Sequence, residues 1–564
     1  MKQAKKILAL ILSALMLLSV MTVGISADTD TIVIDKASDW DRYVAAGGFP
    51  ENANVTVRAQ LNTLSTNFNG NGATVTTSVP LIYNIAGTTT VENLTINGKI
   101  TVAGVENAAA LSEYTTGIVT IKNVVNNADV AFEDLHFANT DEGVGVGGVL
   151  GNTSGGTTTM IDCINNGNVT VNNGTNIFVG GIIGKVRNSV VSITNCVNNG
   201  EIVANSKDNK TVGAGGIVGY VYGNGAWPAI KGCVNTCNVT STYISGGILG
   251  AYGRTWGSVI EYCYNKGEIK ATGANGQAGG IDGYGYHAKL NYCWNSGNVV
   301  GTLYSGQISV FNPIQDYTNN YYVSTLDAKA FHFKDAEATN EGATPFTADD
   351  LASGKLAYDI NKAAGMQVFF QNVNTIDGET KDAHPVFDST HGHVFKTGDA
   401  TYGSLRFYTL QTASVRISAN ENERGIRFST AVNKKDFDAL NVEIDFGTLI
   451  TPNDYLKAAG NAFNAIEAGK YLDVNSTATG ADNFKTLKGE DNDTYYYFCG
   501  SITGIKAANY DWDYSAVGYV IINRETVYST QYATRNIKFI AGEAIKDAAS
   551  YTEQELEYIN TYLK

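Results

Sequence analysis

Two short motifs recur in phase through the middle of this 564-residue chain, and they restrict its fold more than any other feature. The first is Cys-x-Asn-x-Gly-x-(Val/Ile). It reads Cys163-Ile-Asn165-Asn-Gly167-Asn-Val169, Cys196-Val-Asn198-Asn-Gly200-Glu-Ile202, Cys233-Val-Asn235-Thr-Cys237-Asn-Val239, Cys263-Tyr-Asn265-Lys-Gly267-Glu-Ile269 and Cys293-Trp-Asn295-Ser-Gly297-Asn-Val299. The leading cysteines step by 33, 37, 30 and 30 residues, and a copy without cysteine precedes them at Val124-Val-Asn126-Asn-Ala128-Asp-Val130. The second is a glycine-bounded apolar piece: Gly147-Gly-Val-Leu-Gly151, Gly180-Gly-Ile-Ile-Gly184, Gly215-Gly-Ile-Val-Gly219, Gly246-Gly-Ile-Leu-Gly250 and Gly279-Gly-Ile-Asp-Gly283, with a degenerate copy at Ser305-Gly-Gln-Ile-Ser309.

A fixed period of this size means a solenoid, in which each repeat buries its apolar face only against its neighbours. The pieces are too short for helices, are rich in Val, Ile, Thr and Tyr, and are bounded by Gly and Asn, so they read as strands. The expectation is a right-handed parallel β-helix in which equivalent side chains form rows along the axis. The small side chains of Cys163, Cys196, Cys233, Cys263 and Cys293 suit an inward row of free thiols. Asn165, Asn198, Asn235, Asn265 and Asn295 suit a turn ladder that bonds backbone groups left unpaired at a tight corner. The glycine after each asparagine is expected at positive φ, and Cys237 in that place is expected to distort its turn. Cys233 and Cys237 are the one closely spaced pair, and a disulfide between them is the alternative to free thiols there.

These repeats resemble the GLUG repeat of large secreted and surface proteins of bacteria, clearest over residues 120–325. The resemblance implies an extracellular, Gram-positive setting more than any one activity. Strand-like pieces at Val55-Thr-Val57, Ala73-Thr-Val75, Val91 to Ile96 and Ile100-Thr-Val102 extend the solenoid upstream, and Trp40 to Ala46 reads as a short helix capping its open end. The chain opens with Lys2, Lys5 and Lys6, an apolar run from Ile7 to Val20, and Ile25-Ser26-Ala27, the pattern of a signal peptide cleaved after Ala27.

The expected organisation is a signal peptide (1–27), a β-helix (28–323), a closing segment (324–401) and a mixed α/β module (402–564). The closing segment, with "LASGKLAYDIN" and "HPVFDSTHGHVF", is similar to segments that end GLUG-type solenoids. In the module, Val415 to Ser418, Gly425 to Ser429, Val442 to Phe446, Tyr495 to Phe498, Ser515 to Ile522 and Thr526 to Tyr528 read as strands. Tyr455 to Ala459 and Ala544 to Leu563 read as helical. "GIRFSTAV", "GTLITPNDYL", "YYFCGSITGI" and "YSAVGYVII" resemble a C-terminal module, of unassigned role, on extracellular proteins of gut Firmicutes.

Composition narrows the function. With 39 basic and 54 acidic side chains the net charge is −15, which disfavours nucleic acid and anionic surfaces as partners. There is no Leu-Pro-x-Thr-Gly wall-sorting motif and no second apolar segment long enough to span a membrane, so a released or noncovalently surface-held protein is expected. Glu201 and Glu268 follow ladder turns but sit two repeats apart, about 10 Å at the usual strand spacing, wide for a catalytic carboxylate pair. His384, Asp388, His391 and His393 form the densest ligand-type cluster, yet no His-Glu-x-x-His pattern, phosphate loop or dinucleotide fingerprint occurs, and no metal or cofactor is assigned. Cys499, in an apolar strand, reads as a buried thiol. The loops of the repeats hold Tyr220, Tyr222, Trp227, Tyr243, Tyr252, Trp256, Tyr284 and Tyr286, ring faces suited to sugars or protein partners. The leading expectation is a non-catalytic binder of a glycan or of a host or bacterial surface protein, adhesin-like in kind. A polysaccharide lyase or hydrolase and a spacer displaying the C-terminal module are the alternatives.

Overall fold

The computed structural model describes residues 31–104, 107–133, 143–206, 212–223, 228–253, 258–285, 289–310, 316–323, 329–332, 338–476, 485–489 and 491–564. The expected signal peptide, Trp227, Trp256 and Tyr286 lie outside them. The chain divides into two compact units, which meet in sequence at Thr347 and Ala348.

The first unit is a right-handed parallel β-helix. Its strands pair in parallel from coil to coil, so that Leu61 lies beside Ile82, Ile82 beside Ser112, Ser112 beside Leu150, and then Ile183, Val218 and Leu249 follow in one row. The widening between the second and third members reflects a third sheet, which begins at Asn107–Ala108 and ends at Tyr304–Gly306. The first coils lack that sheet. They are closed by the 3-10 turn Ala37–Trp40 and the helix Asp41–Ala46, where Trp40 packs on Phe49 and Phe68 and its indole N–H donates to the Ala59 carbonyl at 2.9 Å. At the far end Ala343–Phe346 pairs in parallel with Asn320–Val323, adding a rung beyond residue 323.

The two motifs recur in phase because they touch. Each ladder asparagine points into the solenoid, fully buried, and its Nδ2 donates to the carbonyl two residues on and to the Oδ1 of the next asparagine. The row runs Asn126, Asn165, Asn198, Asn235, Asn265, Asn295, with inter-asparagine bonds of 2.7–2.8 Å. A methyl group on Gly148, Gly181, Gly216, Gly247 or Gly280 would come within 2.3–2.7 Å of one of these amides, so the second glycine of the Gly-Gly piece is the floor on which the asparagine rests. The degenerate copy ends the row: Gln307 stands where that glycine would be, and its Oε1 accepts the last amide bond, from Asn295, at 2.9 Å.

Cys163, Cys196, Cys233, Cys263 and Cys293 form the inward row beside it, all free and fully buried. Each Sγ–H lies 3.3–3.5 Å from the carbonyl two residues before it. Cys237 is also unpaired; it is half-buried, its Sγ directed at the Asn199 carbonyl at 2.7 Å. The expected positive φ is not at the glycine after the asparagine but at the residue before the cysteine, at Asp162, Asn195, Gly232, Tyr262 and Tyr292, and before Leu94, Val124 and Asn320 in coils without the cysteine, at Asn93, Asn123 and Asn319. Gly167, Gly200, Gly267 and Gly297 are required for room instead, since a Cβ there would lie 1.9–2.0 Å from a carbonyl oxygen of the preceding coil.

In the second unit the helix Lys355–Ala364 precedes an antiparallel pair, His393–Lys396 with Tyr402–Leu405. Two antiparallel sheets follow. One holds Phe407–Arg416, Gly425–Asn433, Thr494–Thr503 and Lys485–Lys488. The other holds Leu472–Ser476, Ile444–Pro452, Tyr514–Ile522 and Glu525–Tyr528, with Ala533–Arg535 also on Tyr514–Ile522. The sheets approach closely where a Cβ on Gly518 would meet the Thr430 Oγ1 at 2.0 Å. The helical stretch expected over 544–563 is broken: Ile537–Lys546 ends, and Thr552 caps a new helix, Glu553–Asn560, through a reciprocal bond with Glu555.

Candidate functional site

The structure separates the eight loop aromatics. Tyr222 is 41% exposed, and Tyr220 beside it is half-buried, its ring stacked on Phe178 at 3.9 Å and 8°. That burial raises the Tyr220 phenol to about 12. The two rings are near parallel at 6.2 Å and form the one pair from the proposed face that comes together among the described residues. Tyr252 points into the core, at 4% exposure, and Tyr243 is half-buried against it. Tyr284 is half-buried. Strand alternation decides this: Tyr252 pairs with Val221 in an inward row, where an aliphatic side chain sits in the coils before it.

What does stand outward in register is polar. One corner carries Asn97, Asn127, Asn166, Asn199 and Thr236, each donating to the one before at 2.7–2.9 Å. A second row carries Asp129, Asn168, Glu201, Asn238, Glu268 and Asn298. In it the Asn168 amide oxygen accepts the Glu201 N–H at 3.0 Å, and the Glu268 carboxylate accepts the Asn298 amide at 3.1 Å. Glu201 and Glu268 are therefore rungs of this row with Asn238 between them. A side-chain amide has two donors and an oxygen with two lone pairs. Row bonds consume one of each, leaving a donor and an acceptor per coil facing solvent.

Inside the solenoid one row breaks its own chemistry. Leu150, Ile183, Val218 and Leu249 are followed by Asp282 and then Ser309, the departure already visible in Gly279-Gly-Ile-Asp-Gly283. The Asp282 carboxyl is fully buried; Oδ2 lies 3.4 Å from the Ser309 hydroxyl, and Oδ1 has no hydrogen-bond partner. The Tyr252 and Ser258 hydroxyls face each other nearby without closing a well-formed hydrogen bond. Burial pushes the Asp282 carboxyl well above the usual carboxylate range.

In the second unit the histidines diverge. His391 bonds Asp382 through Nδ1 at 2.6 Å, His384 bonds the Pro385 carbonyl, and His393 lies buried between Phe370 and Phe407, its basicity pushed down to about 3 by burial. Among the described residues no group of three His, Cys, Asp or Glu side chains is placed to hold a metal ion. Cys499 corrects the expectation of a buried thiol: it is exposed, on the solvent side of its strand between the buried Phe498 and Gly500, with Ser429 Oγ at 3.2 Å. An ion network not foreseen from the sequence joins Arg406 to Asp436 at 2.8 Å and to Glu379 at 2.9 Å, while Lys435 bridges Glu379 and Asp493, each at 2.8 Å. Every charge in it is answered, which marks a tether for the 379 segment. Among the described residues no helix is long and apolar enough to cross a membrane.

No protein-family model matches the chain, and no curated protein matches it. Among solved structures, a candidate immunoglobulin A1 protease from Bacteroides ovatus aligns over 64% of this chain and 91% of that one, at 12% identity and a TM-score of 0.30. Likeness at that level transfers neither fold nor function.

Proposed function

We propose that the protein is a secreted or noncovalently surface-held recognition protein of a Gram-positive bacterium, exported by the 1–27 signal and related to the GLUG-repeat proteins. In this reading its solenoid binds an extended glycan without cutting it. The observation that carries it is the outward Asn127–Asn166–Asn199 row, a file of amides held in register by one another. Side chains fixed before binding lose little freedom on binding, and identical weak contacts at a regular spacing sum to useful affinity. Tyr222, 41% exposed on the same solenoid, adds apolar area for a ligand.

The test is a glycan screen with the full mature chain and the Asn127→Ala/Asn166→Ala/Asn199→Ala variant. Binding weakened roughly tenfold or more, with the melting temperature little changed, is the expected result. Equal binding by the two proteins removes the row from recognition. Release of reducing ends or unsaturated oligosaccharides from a bound glycan would make the chain an enzyme and end the non-catalytic reading.

A further inference from the structure

Two of the tryptophans are core residues: Trp40 and Trp294 are 2% and 0% exposed. Trp512, in the second unit, is 52% exposed. It sits in the loop between the 3-10 turn Ala507–Asn509 and the strand Tyr514–Ile522. The loop is braced. The Trp512 N–H donates to the Asn509 carbonyl at 3.1 Å, and the Asp513 carbonyl accepts from the Asn453 N–H at 2.8 Å. On one side of the tryptophan the Asp513 carboxylate accepts from the Asn536 amide at 3.0 Å; on the other the Asp511 carboxylate accepts from Lys538 at 3.2 Å. Both partners belong to the start of the helix Ile537–Lys546, and the next residue on that helix, Phe539, is 53% exposed.

We infer that Trp512 and Phe539, with Asp511 and Asp513, form a binding site for neutral hexose units of a polysaccharide, separate from the outward rows of the solenoid. Large aromatic surface left in water forgoes about 25 cal/mol for each Å² not buried; this unit buries Tyr514, Tyr519, Phe446 and Phe498, and Trp512 and Phe539 are the most exposed rings among its described residues, ahead of Tyr455 and Tyr532. A sugar ring presents C–H groups on one face and hydroxyls around its edge. An indole covers the first, and carboxylate oxygens accept from the second. Each aspartate spends part of its accepting capacity on its brace and keeps the rest for a ligand. Two carboxylates against the single Lys538 ammonium leave the rim negative, which repels uronate, sulfated and sialylated chains and selects uncharged ones.

The experiment uses the full mature chain on an array of neutral and anionic glycans, with Trp512 fluorescence read as the difference between wild type and Trp512→Ala. Binding to neutral glycans is expected, weakened at least tenfold by Trp512→Ala, partly restored by Trp512→Phe, and accompanied by a fluorescence change that the alanine variant lacks. The solenoid variant Asn127→Ala/Asn166→Ala/Asn199→Ala should keep that fluorescence change, so either site can fail without the other. Undiminished binding by folded Trp512→Ala, binding confined to anionic glycans, or no neutral glycan bound overturns the assignment. So does light scattering that shows Trp512→Ala to do nothing but turn a dimer into a monomer.

Discussion

Asp282 is where one residue departs furthest from its row, and its consequence is a dependence of stability on pH. Its carboxyl is held well above the usual value by burial, with Ser309 and Tyr252 as neighbours and no cation among the described residues. The unfolded chain ionises this group near the ordinary aspartate value of about 3.9, whereas the folded chain resists. The stability it contributes is thus fully present below that value and is lost as pH rises toward the raised folded value. Asp282→Asn should flatten this slope, gaining roughly 1–3 kcal/mol on the wild type between pH 4 and pH 8 in urea unfolding. Unfolding curves for the two proteins that stay parallel across that range would rule it out. Thiol chemistry gives a second residue-scale test. Cys499 should react with a maleimide in the native protein well before the ladder cysteines, which lack access; Cys163, Cys196, Cys233 and Cys263 are also held protonated by burial and by one another. Mass spectrometry of the labelled peptides reads the order, and early labelling of Cys196 would contradict the inward row.

At the scale of the turn and the strand, glycines of different roles should respond differently to the same change. Gly181→Ala drives a methyl into the Gly216 carbonyl at 2.2 Å and the Asn198 amide at 2.4 Å, so soluble folded protein should be lost or strongly destabilised. Gly155, at φ +74° with nothing near its Cβ, should cost only about 1–2 kcal/mol on changing to alanine. Comparable melting temperatures for the two variants would show that the Gly-Gly corner is not packed as described. This distinction was only half legible in the sequence. Repetition marked the glycines, the asparagines and the cysteines as one unit, because a stacked fold writes the same constraint once per coil. It did not say whether a glycine is needed for φ or for room, since both demands select the same residue; hence the positive φ expected at Gly167 belongs to Asp162. The loop aromatics failed for a related reason. Tyr252 lies in an inward row, and a strand's phase cannot be fixed from a loop whose length changes between coils. Trp512 escaped notice because no repeat pointed to it.

Across the whole molecule, a solenoid's energetics reduce to coils and the interfaces between them. Asn235 and Asn265 are 30 residues apart and Val234 pairs with Tyr264, so removing residues 234–263 deletes one complete coil and joins Cys233 to Tyr264 in register. That protein should fold, with a smaller denaturant dependence in proportion to the surface lost. A deletion two residues shorter should not, because the inward row would meet the wrong partners. Circular dichroism and protease resistance distinguish the outcomes, and equal resistance of the two deletions would mean that the rows do not set the register. The rows also have a sense. Inside, every amide from Asn126 to Asn265 donates toward the C-terminal end; at the outer corner, Asn127, Asn166 and Asn199 donate toward the N-terminal end. A head-to-tail file of amides is a line of aligned dipoles, and two such lines of opposite sense, a short distance apart, cancel. The coils from Asn127 to Thr236, which carry both files, therefore add little voltage between the two ends of the stack.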